Sequence, residues 1–207
     1  MTLLARTVGP AVFPSILWHT AEPSLHITFD DGPHPEATPI ALEVLRKRKI
    51  SATFFLVGTR VARYPRLANQ IAREGHSIGN HTLTHPNLFL KSRPRQTYEI
   101  VEADKIISEA VGSRPVFFRP PYGYFDLLTL SIASRTNHRV VLWDVDSRDF
   151  SANPPRSIAA KVTKKARAGT ILLFHDNDAT GRKLRSFLDP MLDRLEERGF
   201  HFSPLPV

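Results

Sequence analysis

A parallel β-sheet with helical crossovers, either open or closed into a barrel, is the α/β fold that this 207-residue chain predicts. Two observations carry that expectation. Short β-rich apolar runs alternate with longer stretches of helical period along the chain, and the residues able to do chemistry collect just after the short runs. Parallel α/β folds place their active sites at the carboxyl ends of their strands, so the second observation bears on function as well as fold.

The elements follow in order. Leu25 to Phe29 reads as a strand, and Glu36 to Arg48 as a helix with apolar Ile40, Leu42, Val44 and Leu45. A second strand, Ala52 to Val57, precedes a helix over Thr59 to Glu74; a third, His76 to Gly79, precedes a helix over Arg95 to Val111. Strand Val116 to Arg119 leads to helix Asp126 to Arg135, strand Arg139 to Trp143 to helix Pro155 to Arg167, and strand Thr170 to Phe174 to helix Lys183 to Arg198. Strand Phe200 to Pro204 closes the pattern, giving seven strands and six helices.

Composition narrows the function classes. With 42% hydrophobic and 23% charged residues the chain is ordinary globular material, and no apolar run approaches the ~18 residues of a membrane span. Zero cysteine removes disulfide frameworks, thiol nucleophiles and Cys-ligated zinc. Twenty-eight Lys+Arg against 20 Asp+Glu give a charge of +8. The basic clusters Arg46 to Lys49 and Lys161 to Arg167 lie on or at the ends of predicted helices, which reads as a solvated face rather than a nucleic-acid footprint. Met1 to Thr20 has no unbroken apolar export segment, so a cytoplasmic location is expected unless the start lies upstream or export is unconventional.

Five segments carry the chemistry. The first strand runs into Thr28-Phe29-Asp30-Asp31-Gly32-Pro33. Adjacent carboxylates at the mouth of a buried strand repel and are costly to desolvate unless a cation or an arginine compensates them; the same residues also suit a plain turn. After the third strand comes Gly79-Asn80-His81-Thr82-Leu83-Thr84-His85-Pro86. Imidazoles at i and i+4 on a helical turn can reach one metal ion, and Pro86 stops that turn. A carboxylate from Asp30 or Asp31 would complete three N/O ligands, a set that suits zinc with an open position and also admits cobalt or nickel. In Phe117-Phe118-Arg119-Pro120-Pro121-Tyr122-Gly123 a stiff extended segment holds Arg119 so that it can orient a carboxylate; an ordinary buried ion pair is the other reading. The last two segments are Trp143-Asp144-Val145-Asp146-Ser147-Arg148-Asp149-Phe150 and Ile171-Leu172-Leu173-Phe174-His175-Asp176. A histidine at a strand's carboxyl end with a carboxylate from the next strand is the layout of a general acid. The remaining histidines, His19, His26, His34, His76, His138 and His201, lack such company and read as structural.

Taken together and in this order, the segments resemble the polysaccharide deacetylases of carbohydrate esterase family 4, the NodB-homology fold, from about Leu25 to the end of the chain. The resemblance implies a distorted (β/α)7 TIM-like barrel in a single domain, with residues 1–23 as a lead segment and 24–207 as the deacetylase domain. It implies a divalent metal, zinc foremost, and removal of N-acetyl groups from N-acetylglucosamine polymers or oligomers of chitin or peptidoglycan type. Carried over, Asp30 is the base, and Asp31, His81 and His85 hold the metal, with Thr82 bracing their loop. Arg119 holds the base, the Tyr122 backbone N–H meets the oxyanion, and Trp143 and Leu173 wall the acetyl pocket. His175 is the acid and Asp149 tunes it; Phe150 stands where many members carry Trp. The expected partner is an N-acetylated glycan, with neither nucleic acid nor a membrane span; oligomeric state is not legible. Two rival readings are an amidase acting on a small N-acyl compound and a carbohydrate-binding pseudoenzyme, the second opposed by the filling of every catalytic position.

Overall fold

The computed structural model describes residues 9–206; residues 1–8 of the expected lead segment, and Val207, lie outside them. Strands β1 His26–Asp30, β2 Thr53–Leu56, β3 Ser77–Asn80, β4 Phe117–Phe118, β5 Arg139–Val140, β6 Val145–Asp146 and β7 Ile171–His175 form one parallel sheet in the order β5-β4-β3-β2-β1-β7-β6. Helices α1 Ala37–Arg48, α2 Gly58–Arg63, α3 Pro65–Arg73, α4 Arg93–Val111, α5 Leu127–Arg135, α6 Pro155–Lys165 and α7 Leu184–Glu197 make the connections.

Chain length forces this sheet to curl. β5 and β6 are its opposite edges, and laid flat at roughly 4.8 Å per strand those edges would stand about 29 Å apart. The chain passes from Val140 straight to Val145, a step that reaches about 18 Å at most. The sheet therefore wraps into a half-closed barrel, and the described part of the lead segment lies at the seam. There Leu17 donates its N–H to the Val140 carbonyl (2.8 Å) and accepts from Leu142 (2.9 Å).

Strand alternation sorts side chains onto two faces. Ile27 and Phe29 of β1, Phe54 and Leu56 of β2, and Leu172 and Phe174 of β7 join one core with α1, α6 and α7. Phe55, Ile171 and Leu173 join a second core with Ile16, Leu17, Trp18 and Trp143. The alternate residues of β1 are His26, Thr28 and Asp30, all buried and all polar. Such a column must find hydrogen-bond partners inside the barrel, and that need shapes the site.

Three expectations are corrected. Phe200 to Pro204 is no strand; a single parallel bridge joins Leu25 to Phe202, because β2 and β7 already occupy both edges of β1 beyond Leu25. The seventh strand is instead β6, two residues inside the segment carrying Asp149. The single helix expected over Thr59 to Glu74 is two, α2 and α3, since Pro65 lacks an N–H and pushes Tyr64 out of the helical region (φ −130°, ψ 55°).

Candidate active site

Register brings the first pair together. β1 and β7 are paired so that Asp30 lies opposite His175, the last residue of each strand. The buried Asp30 carboxylate accepts from Arg119 Nη1 at 2.6 Å, and the same nitrogen donates to Thr28 Oγ1 at 2.8 Å. Arg119 is itself fully buried; its Nε donates to the Val141 carbonyl (3.3 Å) and its Nη2 to the Leu142 carbonyl (3.1 Å). Burial pulls its pKa down, opposed by Asp30. The guanidinium stacks 4.0 Å above the Phe55 ring, a contact that Gly79 makes possible, since a Cβ there would fall 2.4 Å from that ring.

Asp149 is buried and grips His175 twice, taking Nδ1–H at 2.7 Å and the backbone N–H at 2.8 Å. With Nδ1 committed as donor, Nε2 is the nitrogen left to meet a substrate. Burial works against the imidazolium, but the Asp149 hydrogen bond and the charges of Asp149, Asp31 and Asp30 outweigh it and raise the pKa to about 9.

A second cluster stands on loops. Asp31, His81 and His85 present one ligand atom each within 4.8 Å of one another. His85 Nε2 is 3.1 Å and His81 Nε2 3.7 Å from Asp31 Oδ1. His81 Nδ1–H donates to the Arg119 carbonyl at 2.7 Å, which leaves Nε2 unprotonated in the neutral ring. Burial above all lowers the His81 pKa to about 4, so the ring is neutral near pH 7. Burial opposes ionisation of Asp31, but a hydrogen bond from His85 and the charges of His81, His175 and His85 hold its carboxyl well below the usual carboxylate range. An ionised carboxylate and a neutral imidazole with its second-ring nitrogen already anchored match what a divalent ion such as zinc requires.

The expected helical turn under the two histidines is absent. Thr82 (φ 70°) and His85 (φ 58°) adopt left-handed backbone instead, as does Asp31 (φ 79°). The loop is pinned where Thr82 Oγ1 accepts the His85 N–H (3.0 Å) and Asn80 Oδ1 accepts the Thr82 N–H (2.7 Å). Non-glycine residues held at positive φ persist only where surrounding bonds over-determine them, and they concentrate at working sites.

Both clusters open into one cavity of about 380 Å³, walled also by Tyr122, Tyr124, Trp143, Phe150 and Leu173. The Phe150 ring meets His175 edge-on at 5.3 Å, and Tyr122 leans edge-on to His85 at 4.8 Å. Tyr122 sits at φ 60° between Pro121 and Gly123. All the residues singled out from sequence thus border this cavity or stand directly behind its lining. Two participants escaped the sequence reading. Asn177 donates Nδ2–H to Asp31 Oδ2 at 2.7 Å, and Thr28 shares Arg119 with Asp30. A period-two reading of Thr28 with Asp30 along β1 would have found the first; Asn177 lies on the loop past β7 and carried no such signal.

The family model described as polysaccharide deacetylase matches residues 19–141. A chitooligosaccharide deacetylase of Azorhizobium caulinodans is 36% identical over 195 residues, covering 88% of this chain and 93% of its own. A peptidoglycan-N-acetylglucosamine deacetylase of Bacillus cereus is 37% identical over 204 residues, 97% of this chain and 94% of its own. Among solved structures, a peptidoglycan N-acetylglucosamine deacetylase superposes with a TM-score of 0.89 at 31% identity, over 93% of this chain and 91% of that one. A carbohydrate esterase family 4 pseudoenzyme of Bacillus anthracis superposes at 0.83 and 28% identity, over 90% of this chain and 65% of that one. Matched family, relatives and fold agree with the five ordered segments: the chain belongs to the polysaccharide deacetylase family, carbohydrate esterase family 4.

Proposed function

We propose that this protein hydrolyses the N-acetyl amide of N-acetylglucosamine units in a chitin- or peptidoglycan-type oligomer or polymer. The carrying observation is the register pairing of Asp30 with His175, which sets a carboxylate and a raised-pKa imidazole side by side at one cavity next to the Asp31, His81 and His85 cluster.

Asp31, His81 and His85 would hold a divalent ion, with zinc the best match to two imidazoles and a carboxylate. When bound, the ion acidifies water and polarises the amide carbonyl. Asp30, aimed by the hydrogen bond from Arg119, takes a proton from the attacking water. The Tyr122 backbone N–H meets the developing oxyanion. His175, protonated below about pH 9, delivers a proton to the departing amine, and Asp149 holds the ring in the tautomer and orientation that this needs. Acetate and a glucosamine unit leave, with no covalent intermediate. Trp143 and Leu173 give the acetyl methyl an apolar seat, and a planar apolar Phe150 edge borders the sugar.

A panel comparing N-acetylchitooligosaccharides, peptidoglycan fragments and small N-acyl amides, read by acetate release, tests the proposal. Release from either glycan is expected, and release confined to the small amides would refute it.

A further inference from the structure

The loop after His85 and the loop before α5 touch twice. At the cavity Tyr122 meets His85; further out, Leu90 donates its backbone N–H to Asp126 Oδ2 at 3.0 Å. Gln96 ties the same corner, donating Nε2–H to the Lys91 carbonyl (3.0 Å) and to Asp126 (3.3 Å). Asp126 in turn caps α5 through a capping box with Thr129.

All this bracing holds apolar side chains out in water. Leu90 is 78% exposed, Leu127 74% and Phe89 47%. Leu90 stands at φ 60°, where a glycine or asparagine would be cheaper than a leucine. Exposed Lys91, Arg93 and Arg95 follow directly in the chain. Arg95 pairs with the buried carboxylate of Glu99 at 2.6 Å, while no ion pair engages Lys91 or Arg93 among the described residues. A strained, rigid tip of three large apolar side chains with a cationic collar is an arrangement that neither solubility nor packing explains.

We propose that this tip docks on a bilayer carrying anionic phospholipid. Phe89, Leu90 and Leu127 enter the headgroup boundary, and Lys91 and Arg93 meet the lipid phosphates. A neutral glycan is a poorer occupant, since only Phe89 of the three offers a flat ring to a sugar and a neutral sugar offers no charge to the collar. A second copy of the chain would bring like charges together. Because the tip and the cavity share the carboxyl end of the sheet, docking would hold the cavity mouth near the lipid surface. The proposal stands apart from the reaction, as its readout is lipid binding rather than acetate.

Co-sedimentation of the whole protein with phosphatidylcholine vesicles, with and without phosphatidylglycerol, tests it. Binding to the anionic vesicles is expected, weakening as salt is added. Leu90→Gly removes an apolar anchor and also relieves the left-handed strain. Its vesicle partitioning should fall about tenfold while its Tm holds or rises and its activity on soluble oligomers stays unchanged. Lys91→Glu with Arg93→Glu should remove the preference for anionic lipid. Absence of vesicle binding by the native protein, equal binding by Leu90→Gly, or an effect of Leu90→Gly confined to self-association or to binding of insoluble polymer would each overturn the proposal.

Discussion

The two halves of the cavity are built in opposite ways. Asp30 and His175 stand at the ends of paired strands, and their partners Arg119 and Asp149 are buried. Asp31, His81 and His85 stand past the strand ends, and two of them, with Thr82 between, occupy left-handed backbone. The Asp30–His175 half, proposed as base and acid, is thus part of the fold, whereas the half proposed to hold the ion is a conformation that the fold imposes. Damage to the first should cost stability and activity together, while damage to the second should cost activity and ion binding with the fold left standing.

The largest effect is expected for Asp31→Asn, which keeps a residue tolerant of positive φ but removes the anionic ligand. Stoichiometric metal binding and acetate release should both vanish, while thermal unfolding of the metal-free protein changes little. Next comes Asp30→Asn. It should lower kcat by about 10³-fold and, by leaving buried Arg119 without its carboxylate, destabilise the fold by about 3–5 kcal/mol in urea unfolding. If Asp31→Asn proved the more unfolded of the two, the contrast between the halves would fail.

His175→Ala should retain the metal and lose about 10²–10⁴ in kcat. The pH dependence carries a sign. The folded His175 pKa of about 9 lies above the ordinary value of 6.5, so the protonated, competent form dominates below about pH 9 and its contribution to stability is full below about pH 6.5. Both are lost as pH rises through about 9. Asp149→Asn should move that alkaline limb of the kcat profile to lower pH, and an unmoved limb would assign it to another group. The smallest effect is expected at Asn177→Ala, which removes a single bond to a ligand oxygen; metal affinity should weaken by about 10–100-fold, measured by competition with a chelator.

The same contrast explains what was legible in the sequence. Asp30, Arg119 and His175 sit where apolar runs end, so reading those runs as strands locates them to within a residue, whereas Asp149 lies on the loop beyond β6. The geometry under His81 and His85 was not legible, because an i, i+4 spacing suggests a helical turn whereas Asn80 and Thr82 side chains tie the loop into left-handed backbone. Thr28 is marked only by its period-two relation to Asp30, and Asn177 stands on the loop past β7, where the fold alone brings it to Asp31. The missing seventh strand has a similar cause: Phe200 to Pro204 is as β-rich as any run, but β1 has no free edge left to pair it, and two residues before Asp149's turn take the vacant edge of β7 instead.

The most direct test of the account is acetate release from N-acetylglucosamine oligomers by zinc-loaded native protein, with free amine measured in the same reaction. One acetate per new amine is expected, abolished by chelation and restored by zinc. A protein that binds zinc stoichiometrically at Asp31, His81 and His85 yet releases no acetate from any such oligomer would contradict it.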